Sequence, residues 1–243
     1  MQETGLQDTL IAAPESQLAD RRRTMVDCQI RTFDVTDQRL LARMLEVPRE
    51  AFLPAALAPL AYSDSALQLE IAEPGGEPRT LLPPLILARL IQEAGVAASD
   101  KVLDVAPGTG YSAALLAGLA ERVVALESEQ ALYQALRESL ETQGLKNVQT
   151  VLGPLASGAP DEGPFDIIIV NGSVEANLEA LFAQLSGGGR LLAFNTFPGD
   201  PFRRAGKAVR YSKAGGASGP RILFDATVPV LEAFRKDEQF IFT

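Results

Sequence analysis

One short stretch of the chain has the residue types and spacing of a loop that binds a cofactor. From Val102 to Tyr111 the sequence reads VLDVAPGTGY, which predicts a buried strand, a tight turn of small residues and the start of a helix. Glycines in such a turn let the backbone come close to a ligand, and the start of a helix offers free N–H groups and positive potential. A dinucleotide-binding loop needs Gly-x-Gly-x-x-Gly, but counting from Ala106 places Tyr111 where the third glycine should be. A nicotinamide cofactor is therefore disfavoured.

Two acidic residues stand at the ends of successive predicted strands. Asp104 begins the pattern D-x-A-x-G-x-G, whose glycines are Gly108 and Gly110, and Glu127 closes the next apolar run. The pattern resembles motif I of the S-adenosylmethionine-dependent methyltransferases. In that family the first acid and the glycine turn hold the methionine part of the cofactor, and the second acid bonds both ribose hydroxyls. The alternative is that both acids only cap helices, as strand-end acids often do.

The resemblance implies that S-adenosylmethionine is the cofactor and assigns residues to its pocket. These residues are Asp104, Val105, Ala106, Gly108, Gly110, Tyr111, Glu127, Ser128, Gly153, Leu155 and Asn171. Ala106 replaces the first glycine of motif I, a change that the turn tolerates if φ stays negative there. Gly153 and Pro154 stand where many of these enzymes have an acid that bonds the adenine amine. We therefore expect backbone groups and apolar contacts to hold the adenine, and we expect Asn171 to lie beside the reacting methyl.

Within the methyltransferases the chain is most similar to the protein-L-isoaspartate O-methyltransferases, over about residues 25 to 194. Besides motif I the likeness rests on five segments: MVxxQIR from Met25, DxRLL from Asp37, VPRExFLP from Val47, LAYSD from Leu60 and PFDxIIV from Pro164. That family methylates the free carboxylate of isoaspartyl residues in aged proteins, which starts their repair. The resemblance therefore implies a protein or peptide that carries isoaspartate as the partner.

The chain departs from this family in the loop before the first core helix. The family has Thr-Ile-Ser there, with the serine beside cofactor and substrate, whereas this chain has Thr80, Leu81 and Leu82. A leucine side chain cannot hydrogen-bond a carboxylate, so either Thr80 or Arg79 takes over or isoaspartate is not the acceptor. Thr80 is the candidate catalytic residue. Arg79, whose planar guanidinium matches a carboxylate, and Tyr62 are the candidate substrate-binding residues. The alternatives are a turn residue for Thr80 and a solvated loop arginine for Arg79.

Composition limits the chemistry further. The chain has no histidine and one cysteine, Cys28, which excludes an intrachain disulfide, a zinc site built from cysteine or histidine, and Cys–His or Ser–His catalytic pairs. A metal held by carboxylates alone is compatible with the composition, but no residues are assigned to one. A carboxylate nucleophile has an ordinary pKa of about 4 and is ionised at neutral pH, so methyl transfer to it needs no general base. The alternatives are a methyltransferase with another acceptor and a binding protein of this fold without chemistry.

Short apolar runs alternate with helical segments after Ser99, and this alternation predicts the fold. Strands are predicted at Lys101–Val105, Val123–Leu126, Val148–Leu152, Phe165–Val170 and Arg190–Phe194. Helices are predicted between Thr36 and Pro48, from Leu85 to about Gly95, and over 111–120, 129–143 and 174–185, with Gly144 and Gly187 as stops. Two later runs, Ala208–Ser212 and Arg221–Thr227, are expected to complete the sheet as an antiparallel edge. The pattern indicates an α/β, Rossmann-like fold: a mostly parallel seven-stranded sheet, helices on both faces and an added N-terminal helical segment.

The length of 243 residues fits one α/β domain. We expect residues 1–20 to be a disordered extension and residues 21–243 a single domain, with a helical and loop segment at 21–98 and the cofactor-binding core at 99–243. The net charge of −9 argues against a nucleic-acid partner, and no apolar stretch approaches the roughly 18 residues that would span a membrane. Because residues 1–20 show no signal-peptide pattern, we expect the protein in the cytoplasm. The sequence leaves the oligomeric state open.

Overall fold

Helices and one short hairpin make up the first part of the chain. The computed structural model describes residues 14–71, 76–196, 206–213 and 220–236. The first elements are α1 (Glu15–Thr24), which runs into a π-helical turn (Met25–Ile30), α2 (Gln38–Glu46), β1 (Leu67–Leu69), β2 (Arg79–Leu81) and α3 (Pro84–Ala94). β1 and β2 pair antiparallel in a sheet of their own. Asp37 caps α2, since its carboxylate accepts the N–H groups of Arg39 and Leu40.

Helix α1 begins inside the segment that the sequence analysis expects to be disordered. Residues 15–20 belong to α1, while residues 1–13 lie outside the described residues. α1 has Glu15 in its first turn and three arginines in its last turn, an arrangement that the helix dipole favours. Arg22 also ties α1 to α2, because its Nη1 donates to the carbonyl of Glu46 at 3.3 Å. The expectation of disorder is therefore wrong for residues 15–20.

Seven strands and three helices form the central part of the fold. The strands are β3 (Lys101–Val105), β4 (Arg122–Glu127), β5 (Val148–Leu152), β6 (Phe165–Val174), β7 (Leu185–Thr196), β8 (Gly206–Ser212) and β9 (Arg221–Asp225). The helices are α4 (Tyr111–Ala117), α5 (Gln130–Thr142) and α6 (Glu179–Ala183). The sheet order is β5-β4-β3-β6-β7-β8-β9, parallel from β5 to β7 and antiparallel at β8 and β9. The predicted Rossmann-like α/β fold is confirmed, including its antiparallel edge.

Strand side chains alternate between two apolar clusters, one on each face of the sheet. On β6, Ile167 and Ile169 enter the first cluster, while Ile168 and Val170 enter the second. The first cluster also contains residues of α2, α3, α4 and α5, and the second contains residues of α6. Burial on both faces explains the unbroken apolar run of this central strand. Within the described residues, no helix is both long and apolar enough to cross a bilayer.

The chain after β6 differs from the sequence prediction. β6 continues to Val174, the predicted helix over 174–185 shrinks to the single short α6, and Gly187 lies inside β7 instead of ending a helix. The cause is a partner from far along the chain, since the N–H of Ser173 donates to the carbonyl of Pro229 at 2.8 Å. Tertiary pairing therefore overrides the local helical spacing.

The last described residues cross the carboxyl end of β6. We call residues 228–234 the C-terminal strap. The N–H of Leu231 donates to the carbonyl of Ser173 at 3.0 Å, and its side chain covers Gly172, where a Cβ would lie only 2.5 Å from Cγ of Leu231. Phe234 is fully buried in the second apolar cluster. The strap therefore fixes the backbone at this end of the sheet.

Candidate functional site

Three neighbouring strand ends bring Asp104, Asn171 and Glu127 to one edge of the sheet. β3 pairs with both β4 and β6, so the carboxyl ends of these strands lie side by side. Asp104 accepts two hydrogen bonds, from Nδ2 of Asn171 at 2.6 Å and from Oγ of Ser112 at 2.6 Å. Nδ2 of Asn171 also donates to the carbonyl of Val105 at 3.0 Å. The structure thus joins the acid expected near the methionine part of the cofactor to the amide expected near the methyl.

Burial governs the charge of Asp104. Its side chain is fully buried, and the loss of solvation raises its pKa to about 7, with the neighbouring Glu127 adding a smaller increase. The hydrogen bonds from Ser112 and Asn171 act in the opposite direction, because they stabilise the carboxylate. The carboxyl group of Asp104 therefore changes its protonation state near neutral pH.

The turn after β3 contains three left-handed backbone conformations. The φ angles are +57° at Ala106, +62° at Gly108 and +100° at Gly110. The condition that φ stay negative at Ala106 is not met. The N–H of Ala106 still donates to the carbonyl of Leu126 on β4, at 2.9 Å, before the chain turns away. A left-handed alanine costs about 1–2 kcal/mol, so the surrounding structure imposes this conformation. A Cβ on Gly108 would lie 2.8 Å from Cδ1 of Leu69, which shows that the β1–β2 hairpin packs directly on the turn.

Glu127 is fully buried at the end of β4, and its carboxylate has three donors. Oε1 accepts the N–H of Gly108 at 2.7 Å, and Oε2 accepts the N–H of Ser128 at 3.2 Å and Nε of Arg79 at 3.1 Å. Burial raises the pKa of Glu127 to about 7, although Arg79 and the two backbone donors lower it. The second acid therefore lies directly against the glycine turn.

Arg79 occupies the space beside this second acid. The side chain is only 1% exposed; Nη1 donates to Oε2 of Glu77 at 2.8 Å and Nη2 to Oγ of Ser128 at 2.8 Å. Glu77 also accepts the N–H of Glu232 in the C-terminal strap at 2.6 Å. The alternative of a solvated loop arginine is wrong. The substrate-clamp prediction requires a free guanidinium, whereas here the carboxylate partners of Arg79, Glu127 and Glu77, come from the protein itself.

Thr80, the candidate catalytic residue, faces away from Arg79. Side chains alternate along β2, and Arg79 and Leu81 are its buried residues. Thr80 is half-buried and stands opposite the exposed Gln68 of β1. The structure therefore does not bring the Thr80 hydroxyl to the face on which Arg79 meets Glu127.

Leu82 and Tyr62 are both engaged with protein groups. Leu82, which stands at the serine position of the family, is buried, and its carbonyl accepts Nη2 of Arg49 at 2.8 Å. The hydroxyl of Tyr62 donates to Oε2 of Glu50, and burial raises the pKa of Tyr62 far above its ordinary value. Tyr62 therefore keeps its proton, and that proton already has an acceptor, so the hydroxyl is not a free donor for a substrate.

The residues expected near adenine follow β5. The N–H of Gly153 donates to the carbonyl of Glu127 at 2.9 Å, and Leu155 is buried in the second apolar cluster. The described neighbours of Pro154 are thus a backbone group that is already bonded and a buried apolar side chain.

Three residues at this edge have no role in the sequence analysis: Ser112, Glu77 and Arg49. A lone serine in the otherwise apolar start of α4 is a signal that could have identified Ser112. Glu77 lies in a loop rich in proline and glycine, and Arg49 lies in a family segment whose pattern gives no indication that its guanidinium is buried. Both depend on contacts between distant parts of the chain.

Comparison with known proteins decides the family. The family model described as Protein-L-isoaspartate(D-aspartate) O-methyltransferase matches residues 20–213, well over half of the chain. The chain belongs to the protein-L-isoaspartate O-methyltransferase family. The protein-L-isoaspartate O-methyltransferase of Koribacter versatilis is 39% identical over 173 residues, which are 71% of this chain and 75% of that protein. The Methanoculleus marisnigri protein of the same name is 37% identical over 172 residues, 71% of this chain and 76% of its own.

Solved structures agree with this assignment. A protein-L-isoaspartate O-methyltransferase structure has a TM-score of 0.75 at 25% sequence identity and covers 86% of this chain and 65% of its own. A Plasmodium falciparum structure described as a β-aspartate methyltransferase, in complex with S-adenosyl-L-homocysteine, has a TM-score of 0.65 at 20% identity over 91% of this chain. At that identity the second likeness bears on the fold alone.

Proposed function

We propose that this protein is an S-adenosylmethionine-dependent carboxyl methyltransferase that acts on isoaspartyl residues of damaged proteins. The observation that carries the proposal is the placement of Asp104 and Glu127. These two buried carboxylates end neighbouring strands on either side of a turn with left-handed backbone at three positions. Membership of the protein-L-isoaspartate O-methyltransferase family indicates that the acceptor is an isoaspartyl carboxylate.

The residues present fit S-adenosylmethionine. A Cβ on Gly110 would meet Cδ1 of Leu136 at 2.6 Å, so only glycine lets the backbone of the turn lie this close to α5. Glu127 offers a carboxylate for the ribose hydroxyls, and Asp104 with the glycine turn offers acceptors and N–H donors for the methionine part. Gly153 and Leu155 remain the proposed residues on the adenine side, although the N–H of Gly153 is bonded to Glu127 and Leu155 is buried. When bound, the cofactor supplies an electrophilic methyl group on a sulfonium.

The protein has to align the acceptor and exclude water. An isoaspartyl carboxylate is ionised at neutral pH, so no residue has to remove a proton from it. Alignment of the two reacting atoms and exclusion of water then account for the catalysis. The side chain of Asn171, held by Asp104 and by the carbonyl of Val105, is fixed at the strand end nearest the expected transfer.

Leu82 supports a second candidate, the same chemistry on a different acceptor. A buried leucine at the serine position removes a hydroxyl that could bond an isoaspartyl carboxylate. We keep Thr80, Arg79 and Tyr62 as the proposed acceptor-side residues. Each of them would have to change its present contacts to bind a substrate.

We also propose that residues 21–243 form one domain, that the protein acts in the cytoplasm, and that its partner is a protein or peptide carrying isoaspartate. The first apolar cluster supports the single domain, because it joins residues from both parts of the chain, from Met25 to Val228. Composition and charge support the location and the absence of a nucleic-acid partner.

The test is transfer of a tritiated methyl group from S-adenosylmethionine to an isoaspartyl peptide, beside the same peptide with ordinary aspartate. We expect base-labile methyl ester only on the isoaspartyl peptide, and none with Glu127→Gln. Glu138→Gln, a change on the exposed face of α5, is the matched control and should behave as wild type. Binding of S-adenosylhomocysteine without turnover of either peptide would favour another acceptor, and no binding would refute the proposal.

A further inference from the structure

Arg49 is a buried cation with unused hydrogen-bond donors. It lies in a short 3₁₀ helix, Arg49–Phe52, and is 0% exposed. Its Nη2 donates to the carbonyl of Leu82, but Nε and Nη1 have no hydrogen-bond partner among the described residues. Buried polar groups are nearly always paired, so two free donors on one charged side chain need an explanation.

No carboxylate of the described residues forms an ion pair with Arg49, although Asp64 favours its charge from a longer distance. Arg49 takes part in none of the ion pairs found within the described ranges. Glu50, the next residue, is bonded to Tyr62. Burial lowers the pKa of Arg49, while the electrostatic contributions of Tyr111, Tyr62 and Asp64 oppose this shift.

The main neighbour of the guanidinium is Tyr111. Cζ of Arg49 lies 4.7 Å from the centroid of the Tyr111 ring, a cation–π contact. The hydroxyl of Tyr111 is also buried and has no hydrogen-bond partner among the described residues. A cation and a phenol in contact, both with unused donors, are complementary to an anion with several acceptor atoms.

This pair lies between the glycine turn and the Leu82 loop. Tyr111 directly follows Gly110, and Oγ1 of Thr109 donates to the carbonyl of Phe52, so the 3₁₀ helix rests on the turn. The ring of Phe52 packs edge-on against Tyr111, with centroids 5.7 Å apart. On its other side Arg49 holds the backbone of Leu82. The unused donors thus adjoin both the expected cofactor turn and the expected acceptor loop.

We propose that Arg49, together with Tyr111, binds a carboxylate group of a ligand at the junction of the glycine turn and the Leu82 loop. The inference rests on the proposed function, because two ligands of a carboxyl methyltransferase carry such a group. One source is the amino-acid carboxylate of the cofactor, and the other is the carboxylate of the acceptor. Charge-assisted hydrogen bonds to a carboxylate would satisfy the free donors and the buried charge together.

Arg49 is 0% exposed, so a ligand reaches it only when a neighbouring segment moves, and residues 79–82 are a segment bonded to it. Leu82 is 2% exposed and bonded to Arg49, and Arg79, three residues earlier, is bonded to Glu127. The same short segment therefore contacts both the second acid and the guanidinium of Arg49. In this proposal a single movement of residues 79–82 exposes Glu127 to the hydroxyl groups of a ligand. The same movement exposes the guanidinium of Arg49 to the carboxylate of a ligand.

The test compares two ligands that differ in the carboxylate. S-Adenosylhomocysteine and 5′-methylthioadenosine share the adenosine and the thioether, but only the first has an amino-acid carboxylate. Both ligands are titrated calorimetrically into wild type, Arg49→Met, Arg49→Lys and Tyr111→Phe. KM for an isoaspartyl peptide is then measured with each of these four proteins. If the cofactor carboxylate is bound, Arg49→Met weakens S-adenosylhomocysteine at least tenfold and leaves methylthioadenosine unchanged. If the acceptor is bound, both affinities stay and KM rises at least tenfold. In either case Arg49→Lys recovers part of the loss.

Other outcomes overturn the inference or the proposed function separately. Equal weakening of both ligands, or no change in affinity and KM, would make Arg49 a structural residue only. Failure of wild type to bind either ligand would instead refute the methyltransferase proposal. If Arg49→Met does not fold, the Nε–H resonance of Arg49 in ¹⁵N-labelled wild type decides, assigned by its absence in Arg49→Lys. This resonance must shift on addition of S-adenosylhomocysteine or of the isoaspartyl peptide, and it must not shift on addition of methylthioadenosine.

Discussion

Replacing Arg79 with glutamine should destabilise the ligand-free protein and at the same time tighten its binding of S-adenosylhomocysteine. The opposite signs follow from one contact. Nε of Arg79 and Oε2 of Glu127 are 3.1 Å apart, with side chains that are 1% and 0% exposed. Any ligand whose hydroxyls bond Glu127 has to displace this guanidinium, and the variant has no guanidinium to displace.

The magnitudes follow from the burial and from the remaining donors. Removing one partner of a buried ion pair costs about 3–5 kcal/mol of unfolding free energy. We expect the lower end, since Glu127 keeps the N–H groups of Gly108 and Ser128. A hydrogen bond to a charged group is worth about 1.5–3 kcal/mol net, so its prior removal should tighten the ligand by at least about tenfold.

Calorimetric titration and urea unfolding measure the two effects on the same variants. Both are run at pH 8.5, because the pKa of Glu127 is already raised to about 7 and rises further without Arg79. Arg137→Gln is the matched control: it removes an arginine from an exposed pair with Glu141 and should change stability by less than about 1 kcal/mol. Weaker or unchanged ligand binding by Arg79→Gln would refute the reasoning and would mean that Arg79 orients Glu127 for the ligand.

Three further predictions concern the acids, the turn and the acceptor loop. Burial raises the folded-state pKa of Asp104 to about 7, so its contribution to stability is present at low pH and is lost as pH rises through 7. Urea unfolding should therefore show that wild type loses more stability than Asp104→Asn between pH 5 and pH 8, and equal losses would contradict this. Gly144→Ala introduces only a left-handed alanine and should cost about 1 kcal/mol in urea unfolding. Gly110→Ala adds an overlap with Leu136 and should cost clearly more, and equal costs would mean that the turn relaxes freely. Leu82→Ser should raise kcat/KM for an isoaspartyl peptide while lowering the melting temperature, and an unchanged kcat/KM would show that this position does not limit the acceptor.

Local patterns were sufficient to predict the sheet and the two acids. β3 and β5 have the bounds that their apolar runs predict, and Asp104 and Glu127 lie within one strand–helix–strand unit that resembles a known motif. Such units are short, so the residues that determine them are neighbours in the sequence. The pairing of Arg79 with Glu127 joins positions 48 residues apart, and no local pattern contains it.

The difference between local and tertiary contacts also explains the backbone at two places, the turn at Ala106 and the end of β6. The φ of Ala106 is imposed by β4 and the hairpin around the turn, although alanine itself favours negative φ. The strand at the end of β6 is stabilised by Pro229, 56 residues beyond its partner Ser173, and so helical spacing in between was misleading. In both places tertiary contacts decide against the local preference of the residues.

The C-terminal strap also has a consequence for how the protein is made. Residues 228–234 leave the ribosome after all seven strands of the sheet, yet they supply the hydrogen-bond partners of Ser173, two residues beyond Asn171. During synthesis the nascent chain can therefore assemble its sheet while the end of β6 is still without its last neighbour. The backbone next to the candidate site therefore acquires its last hydrogen bonds only after the whole sheet has been synthesised.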